Sequence, residues 1–312
     1  MFKSEICVLG ASNIDLITYV KHMPSIGETL HGTRFQMGYG GKGANQAVMS
    51  AKLGAHVSLI TKLGKDLFGE NSLNNLQMVG VNTTHVFFSE EAFTGVAPIF
   101  VDNEGNNLIV IVTGANDEIT EEEILVAKNV ISGSKILVCQ LEIPLTLSLF
   151  ALQMAKDAGV YTILNPAPAK AELPDELYAC TDLICPYVHE AELLTDIKVQ
   201  TFDHAEKAAR LLVDRGAGSA LITMGERGAF YYSLTDCFYQ PANSVSAIDT
   251  TGAGDAFVGS LAYFLCNGMT MVEAVKRSNF VASISVQHTG TQSSFPNRID
   301  LPKDMFEKTD EY

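Results

Sequence analysis

Apolar runs of strand length alternate along this chain with segments of helical period, and no other feature constrains its fold as strongly. The runs at 6–10, 57–63, 135–141, 161–165, 182–185 and 220–224 are short, bounded by turn residues and continuously apolar. Strands buried on both faces look like this. Between them, 44–53, 69–79, 120–131, 145–158, 204–215 and 255–266 carry helical periodicity. Thr120 with Glu123 is the capping-box signature opening the third of these helices. The βαβα succession predicts an α/β fold, a mostly parallel sheet covered by helices on both faces.

Two regions interrupt the alternation. Residues 16–35 and 95–112 are β-rich with no helix inside them, and Asp102-Asn103-Glu104-Gly105-Asn106 reads as the turn between 96–101 and 108–112. They predict a small antiparallel sheet built from insertions at about 14–38 and 94–113 of a single domain spanning 1–312. It would lie as a lid over the edge of the main sheet, where open α/β sheets bind ligands beyond their strand C-termini. So small a sheet exposes edges and apolar residues (Leu16, Ile17, Val96, Ile99 and Val110), and pairing two lids in a homodimer would cover them. The acidic tail at 304–312 reads as a solvated end.

The opening residues 1–9 read as a strand, with Lys3 and Glu5 where a secretory leader has an apolar core. The cysteines (7, 139, 180, 185, 237 and 266) are scattered without metal-binding spacing, as structural thiols of a cytoplasmic protein are. A formal net charge of −15 argues against nucleic-acid and anionic-membrane partners, which select a basic face.

Three glycine clusters carry the chemical information. The first, Gly38-Tyr39-Gly40-Gly41-Lys42-Gly43-Ala44-Asn45, contains a formal G-x-G-x-x-G, but it does not follow the first strand and no acid ends the next one. A dinucleotide-binding reading therefore fails. No G-x-x-x-x-G-K-[ST] loop occurs either. The second, Asp249-Thr250-Thr251-Gly252-Ala253-Gly254-Asp255, opens an apolar helix whose core face runs Phe257, Leu261, Phe264 and Leu265. Its glycines let backbone N–H groups converge on an anion at the helix N-terminus. A carboxylate beside an anion cradle suits a group that accepts a proton from an attacking hydroxyl, so Asp255 is the candidate base. The third, Thr223-Met224-Gly225-Glu226-Arg227-Gly228, closes a buried strand with a glycine turn and offers Arg227 as a phosphate ligand.

Together these segments resemble the ribokinase-like (PfkB-type) carbohydrate kinases over about residues 6–302. Gly40 to Ala47 resembles the family's N-terminal signature and Asp249 to Gly259 its C-terminal one. Asn165-Pro166-Ala167-Pro168-Ala169, and Gly290-Thr291-Gln292-Ser293-Ser294 at the end of a cation-binding loop, are similar to segments of the subgroup acting on ribose. The resemblance implies a three-layer α/β/α sandwich with a β lid, and transfer of the ATP γ-phosphoryl to the 5-hydroxyl of ribose. It places Asn13, Asp15, Gly41, Lys42, Asn45 and Glu142 around the sugar, with Asp255 as base and the amides of Gly252, Ala253 and Gly254 as the anion hole. It assigns Thr223, Gly225, Gly228, Gly254 and Asn279 to the nucleotide, and Asp249, Thr251, Ser285, His288, Gly290 and Ser294 to a monovalent cation, K⁺, held mostly by backbone carbonyls.

The sequence departs from the family at one point. Where an N-x-x-E segment helps position Mg²⁺ and phosphates, this chain reads Tyr187-Val188-His189-Glu190, keeping Glu190 but replacing the amide with a bulkier phenol. That departure prompts a sugar-binding pseudokinase as a rival reading, against which the retention of Asp255, Gly252, Gly254, Lys42 and Glu190 argues. Stretches at 15–19, 95–101 and 199–204 also resemble 2-deoxyribose kinases; the amide of Asn13 suits a sugar bearing a 2-hydroxyl. A phenol cannot reproduce an amide's paired donor and acceptor. Tyr187→Asn is therefore expected to lower the KM for MgATP in steady-state kinetics, and an unchanged or raised KM contradicts that.

Overall fold

The computed structural model of the chain describes residues 5–104 and 106–308. Expectations for residues 1–4, for Gly105 in the lid turn and for tail residues 309–312 lie outside the described residues.

The strands are β1 (Ile6–Leu9), β2 (Asn13–Tyr19), β3 (Arg34–Gly40), β4 (Val57–Gly64), β5 (Asn82–Ser89), β6 (Gly95–Val101), β7 (Asn107–Ile109), β8 (Ile136–Cys139), β9 (Tyr161–Leu164), β10 (Leu183–Ile184), β11 (Ser219–Thr223), β12 (Ala229–Ser233) and β13 (Cys237–Gln240). The helices are α1 (Lys42–Lys52), α2 (Leu67–Val79), α3 (Glu121–Val126), α4 (Lys128–Gly133), α5 (Leu145–Asp157), α6 (Asp175–Ala179), α7 (Val188–Thr195), α8 (Phe202–Asp214), α9 (Ala253–Cys266) and α10 (Met271–Ser285). The main sheet has the order β13-β12-β11-β10-β9-β8-β1-β4-β5 and is parallel from β11 to β5. Only β12 and β13 run antiparallel to their neighbours.

Period-two alternation sends the side chains of each central strand to two separate cores. Cys7 and Leu9 pack with α3 to α8, through Ile124, Leu147, Leu152, Leu177 and Leu212. Ile6 and Val8 pack with α1, α2, α9 and α10, through Val48, Leu76, Phe264 and Val275. Helix α9 is buried nearly all round because it lies between α1 and α10 as well as on the sheet. At Gly259 a Cβ would stand 2.6 Å from the Gln46 carbonyl oxygen, so this glycine lets α9 approach α1 closely.

A second sheet, β3-β2-β6-β7, stands apart from the first with a small core of Ile17, Ala97 and Ile99. It is mixed, not antiparallel: β2 and β6 run parallel in register from Asn13 opposite Gly95 to Tyr19 opposite Val101. Both strands follow closely on parallel strands of the main sheet, β1 and β5, and so leave it in the same direction. Helix 120–131 divides at Ala127, where ψ is 2°, and Ile124, Ala127 and Ile131 are all buried across the break. Helix α10 has no sequence counterpart in the predicted elements because its buried face includes Ala274, Arg277, Ser278, Asn279 and Ser283, small and polar residues that mask the helical period. All six cysteines are free, and no helix among the described residues is long and apolar enough to cross a membrane.

Candidate active site

Residues that follow the C-terminal ends of β1 and β8 come together with the first turns of α1 and α9. Asp255, in the first turn of α9, is 6% exposed and held by two amides from one turn of α1. Asn45 Nδ2 donates to its Oδ2 and Gln46 Nε2 to its Oδ1, each at 2.9 Å. Those amides are oriented in turn. Gln292 Nε2 donates to Asn45 Oδ1 at 3.0 Å, and Asn75 Nδ2 donates to Gln292 Oε1 at 2.8 Å. Gln140 Nε2 donates to Gln46 Oε1 at 2.6 Å, while Gln46 Nε2 also reaches Asn165 Oδ1 at 3.1 Å. Two donors on a carboxylate leave lone pairs on both oxygens for an incoming hydroxyl.

Asn13 and Asp15 share one face of β2. Asp15 Oδ2 accepts from Thr291 Oγ1 at 3.1 Å. Burial raises its pKa to about 6 against that hydrogen bond, and the charges of Glu142 and Asp255 add to the rise. Asn13 Oδ1 accepts from Asn116 Nδ2 at 2.8 Å. Gly41 precedes α1 with φ 84°, and the N–H of Lys42 donates to Glu142 Oε2 at 2.7 Å. Burial raises the pKa of Glu142, though the charge and N–H of Lys42 oppose it. Burial alone would lower the Lys42 ammonium, but the carboxylates of Asp255, Glu142 and Glu190 outweigh it and raise the pKa. Asp15, Asp255, Glu142, Lys42 and Asn45 thus come together, with Asn13 beside Asp15 on β2, and acids outnumber bases among them.

Gly252 caps α9 in the left-handed conformation, φ 76°, and no side chain caps the helix. A Cβ on Gly254 would meet nothing within 4 Å, leaving its backbone open to an anion. Beyond this turn, Thr223 ends β11 and bridges Tyr187, whose phenol oxygen stands 3.5 Å from where a Cβ of Gly225 would be. Gly228 closes the turn with φ 88°. Asn279 Nδ2 reaches the carbonyls of Gln240 and Pro241 at 3.4 and 3.2 Å. Arg227 does not point its guanidinium into the cleft's polar network. It donates to the carbonyls of Val199 and Gln200 at 3.1 and 3.2 Å.

The residues expected around cations form two groups. Glu190 Oε2 is buried without a hydrogen-bond partner among the described residues, so an anionic oxygen is left for a cation or its water shell. The Asp249 carboxylate braces two loops, accepting from Thr251 N at 2.9 Å and Gly290 N at 2.8 Å. The hydroxyls of Ser285 and Ser294 are spent on Ala282 O and Thr291 O, and His288 Nδ1 lies 3.1 Å from Ile284 O. An ion between these loops would rest on backbone carbonyls, the donor type suited to a hard cation.

Sequence reading missed the amides that orient the site. Gln46, Asn165 and Gln292 lie in segments singled out for other reasons, while Asn75 inside α2 carries no local signal at all. Asn116 has one, the glycine at φ 53° two residues before it in a tight turn.

Residues 3–298 match the pfkB family carbohydrate kinases. Among curated proteins the chain is 44% identical to a mouse ribokinase, covering 97% of this chain and 95% of that one. It is 43% identical to a Salmonella typhi deoxyribokinase, covering 94% and 96%. The fold superposes on that of Arabidopsis thaliana ribokinase complexed with ribose and ATP with a TM-score of 0.89 at 27% identity, covering 98% of this chain and 99% of that one.

The raised Asp15 carboxyl has a consequence for stability. Its folded pKa, about 6, lies above its ordinary 3.8, so the folded state holds the proton more tightly than the unfolded state. The stability this gives is full below 3.8 and lost as pH rises through 6. At neutral pH burying the charge costs up to roughly 3 kcal/mol. Asp15→Asn is expected to raise the melting temperature at pH 7.5 by an amount that shrinks steadily towards pH 4. A pH-independent difference would show that Asp15 does not titrate as described.

Proposed function

The chain belongs to the pfkB family of carbohydrate kinases, and from that premise we propose that it transfers the γ-phosphoryl of ATP to the 5-hydroxyl of D-ribose. The observation that carries this reading is the Asp255 carboxylate, buried at the mouth of an uncapped helix and fixed by two amides beside Asn13, Asp15 and Glu142. A pentose is recognised through its hydroxyls. Asp15 and Glu142 accept their protons, and Asn13, Lys42 and Asn45 donate to their oxygens; each such contact left unmade costs about 1–3 kcal/mol.

The 5-hydroxyl oxygen attacks the γ-phosphorus and its proton passes to Asp255. The new O–P bond forms as the bridging P–O bond to ADP breaks. The backbone of Gly252, Ala253 and Gly254 stabilises charge on the transferring phosphoryl. Thr223, Gly225, Gly228, Asn279 and the phenol of Tyr187 border the nucleotide. Mg²⁺, when bound, would be held near Glu190 and would neutralise phosphate charge. K⁺ would rest on the carbonyls of the Asp249–Thr251 and Ser285–Ser294 loops and order the anion hole. A cleft richer in carboxylates than in cations supports this dependence on bound metal ions. The free thiols are in keeping with a cytoplasmic setting.

The 43% identity to a deoxyribokinase favours 2-deoxyribose as the second reading. Coupled ADP-release assays over pentoses, hexoses and nucleosides, with and without K⁺, test both; ribose is expected to give the highest kcat/KM, with turnover depending on K⁺. Asp255→Asn is expected to cut kcat by at least about 100-fold while sugar affinity changes little. Retained turnover would remove Asp255 from the mechanism, and sugar binding without any ADP release by the parent would favour a pseudokinase.

The lid supports a homodimer. Phe35 and Met37 on one edge strand, and the run from Leu108 to Val112 at the other edge, are exposed large apolar residues. A dimeric mass by light scattering is expected, reduced to monomer by paired charged substitutions at Leu108 and Val110.

A further inference from the structure

We infer that Asn116 is a specificity-setting positioning residue: it fixes which end of the Asn13 amide faces the sugar, and so favours a 2-hydroxylated pentose over its 2-deoxy analogue. The inference rests on the pentose-kinase reading above.

An amide has a donor end and an acceptor end of nearly equal shape, so its direction must be set by its partners. The partners here form a one-way chain. The backbone N–H of Ser12 can only donate, and it donates to Asn116 Oδ1 at 3.0 Å. That leaves Asn116 presenting Nδ2, which donates to Asn13 Oδ1 at 2.8 Å and to the Thr113 carbonyl at 2.8 Å. Asn13 therefore turns its Nδ2 away from Asn116, and this nitrogen makes no hydrogen bond with the described residues. Both side chains are almost wholly buried, so a reversed Asn116 amide would lose its bond from Ser12 with little water to replace it.

The backbone is shaped to keep this pair. Gly95 lies opposite Asn13 in the lid register, and a Cβ there would fall 2.2 Å from Asn13 Oδ1 and 2.4 Å from Asn116 Nδ2. Asn116 is delivered by a tight turn in which Ala115 N donates to the Phe93 carbonyl at 2.8 Å. The turn thus sits against the start of β6 and behind β2.

The direction matters because of Asp15, two residues along the same face of β2. A hydroxyl shared by Asn13 and a carboxylate gives its proton to the carboxylate, so only its lone pair is left and Asn13 must donate. If the amide reversed, two acceptors would face one proton. A sugar lacking that hydroxyl gains nothing from the correct direction, and its absence leaves the Asn13 donor unpaired.

The test uses the intact enzyme with kcat/KM measured on ribose and on 2-deoxyribose. Asn116→Asp replaces the donor facing Asn13 with an acceptor; it is expected to lower kcat/KM for ribose about tenfold or more and for 2-deoxyribose less than threefold. Asn116→Ala, which introduces no charge, keeps the test open if the aspartate variant fails to fold; it is expected to lower the ribose-to-deoxyribose ratio by about threefold. In an Asn13→Leu background neither substitution should move the ratio. Equal losses on both sugars, or the same shift of ratio without Asn13, would make Asn116 merely structural and overturn the inference. A parent enzyme that turns over neither pentose would overturn the functional reading and the inference with it; turnover with an unchanged ratio overturns the inference alone.

Discussion

The hydrogen bonds from Asn45 and Gln46 to Asp255 are the constraint around which the cleft is built. Burying a carboxylate without partners costs several kcal/mol, and α1 meets that cost for Asp255 by supplying two donors. Supplying them demands that α1 and α9 lie close together, which the bare Cα of Gly259 permits. Ser50 Oγ, donating to the Gly259 carbonyl at 2.7 Å, ties the same two helices one turn further on. The position of the Asp255 carboxylate and the packing of the two helices are therefore one problem with one solution.

The electrostatics of the cleft follow from that arrangement. Asp255, Glu142 and Glu190 act on the Lys42 ammonium, Glu142 and Asp255 act on Asp15 as well, and the other cation expected from the sequence, Arg227, is committed to backbone carbonyls elsewhere. An anionic co-substrate thus meets a locally acidic site in an acidic chain. Net charge acts at long range and is screened beyond about 10 Å at ordinary salt, while a helix N-terminus and bound cations act at contact. Phosphate binding in so acidic a site would rest on such short-range means.

Much of this architecture is legible in the sequence. The central strands announce themselves because a strand buried on both faces has to be continuously apolar, and the Gly252–Asp255 turn because its chemistry is local. The direction of the lid strands is not legible: whether β2 and β6 run parallel depends on where each leaves the main sheet. Helix α10 is hidden because it buries alanine, serine and asparagine. The amides of Asn75 and Gln292 are silent for a deeper reason. Each acts on a partner far away in the chain, 217 residues in the case of Asn75 and Gln292, and no local pattern encodes such a pair.

A centre oriented by amides also has a characteristic way of ageing. Hydrolysis of an asparagine or glutamine to its acid preserves the size of the side chain while exchanging a donor for an acceptor and adding charge. In the chain that Asn75 heads as a donor and that runs through Gln292 and Asn45 to Asp255, the two inner amides each receive at one end and give at the other. A single hydrolysed link would leave the fold standing with two acceptors face to face and would unseat the Asp255 carboxylate. Heat or time would then remove activity before they removed structure.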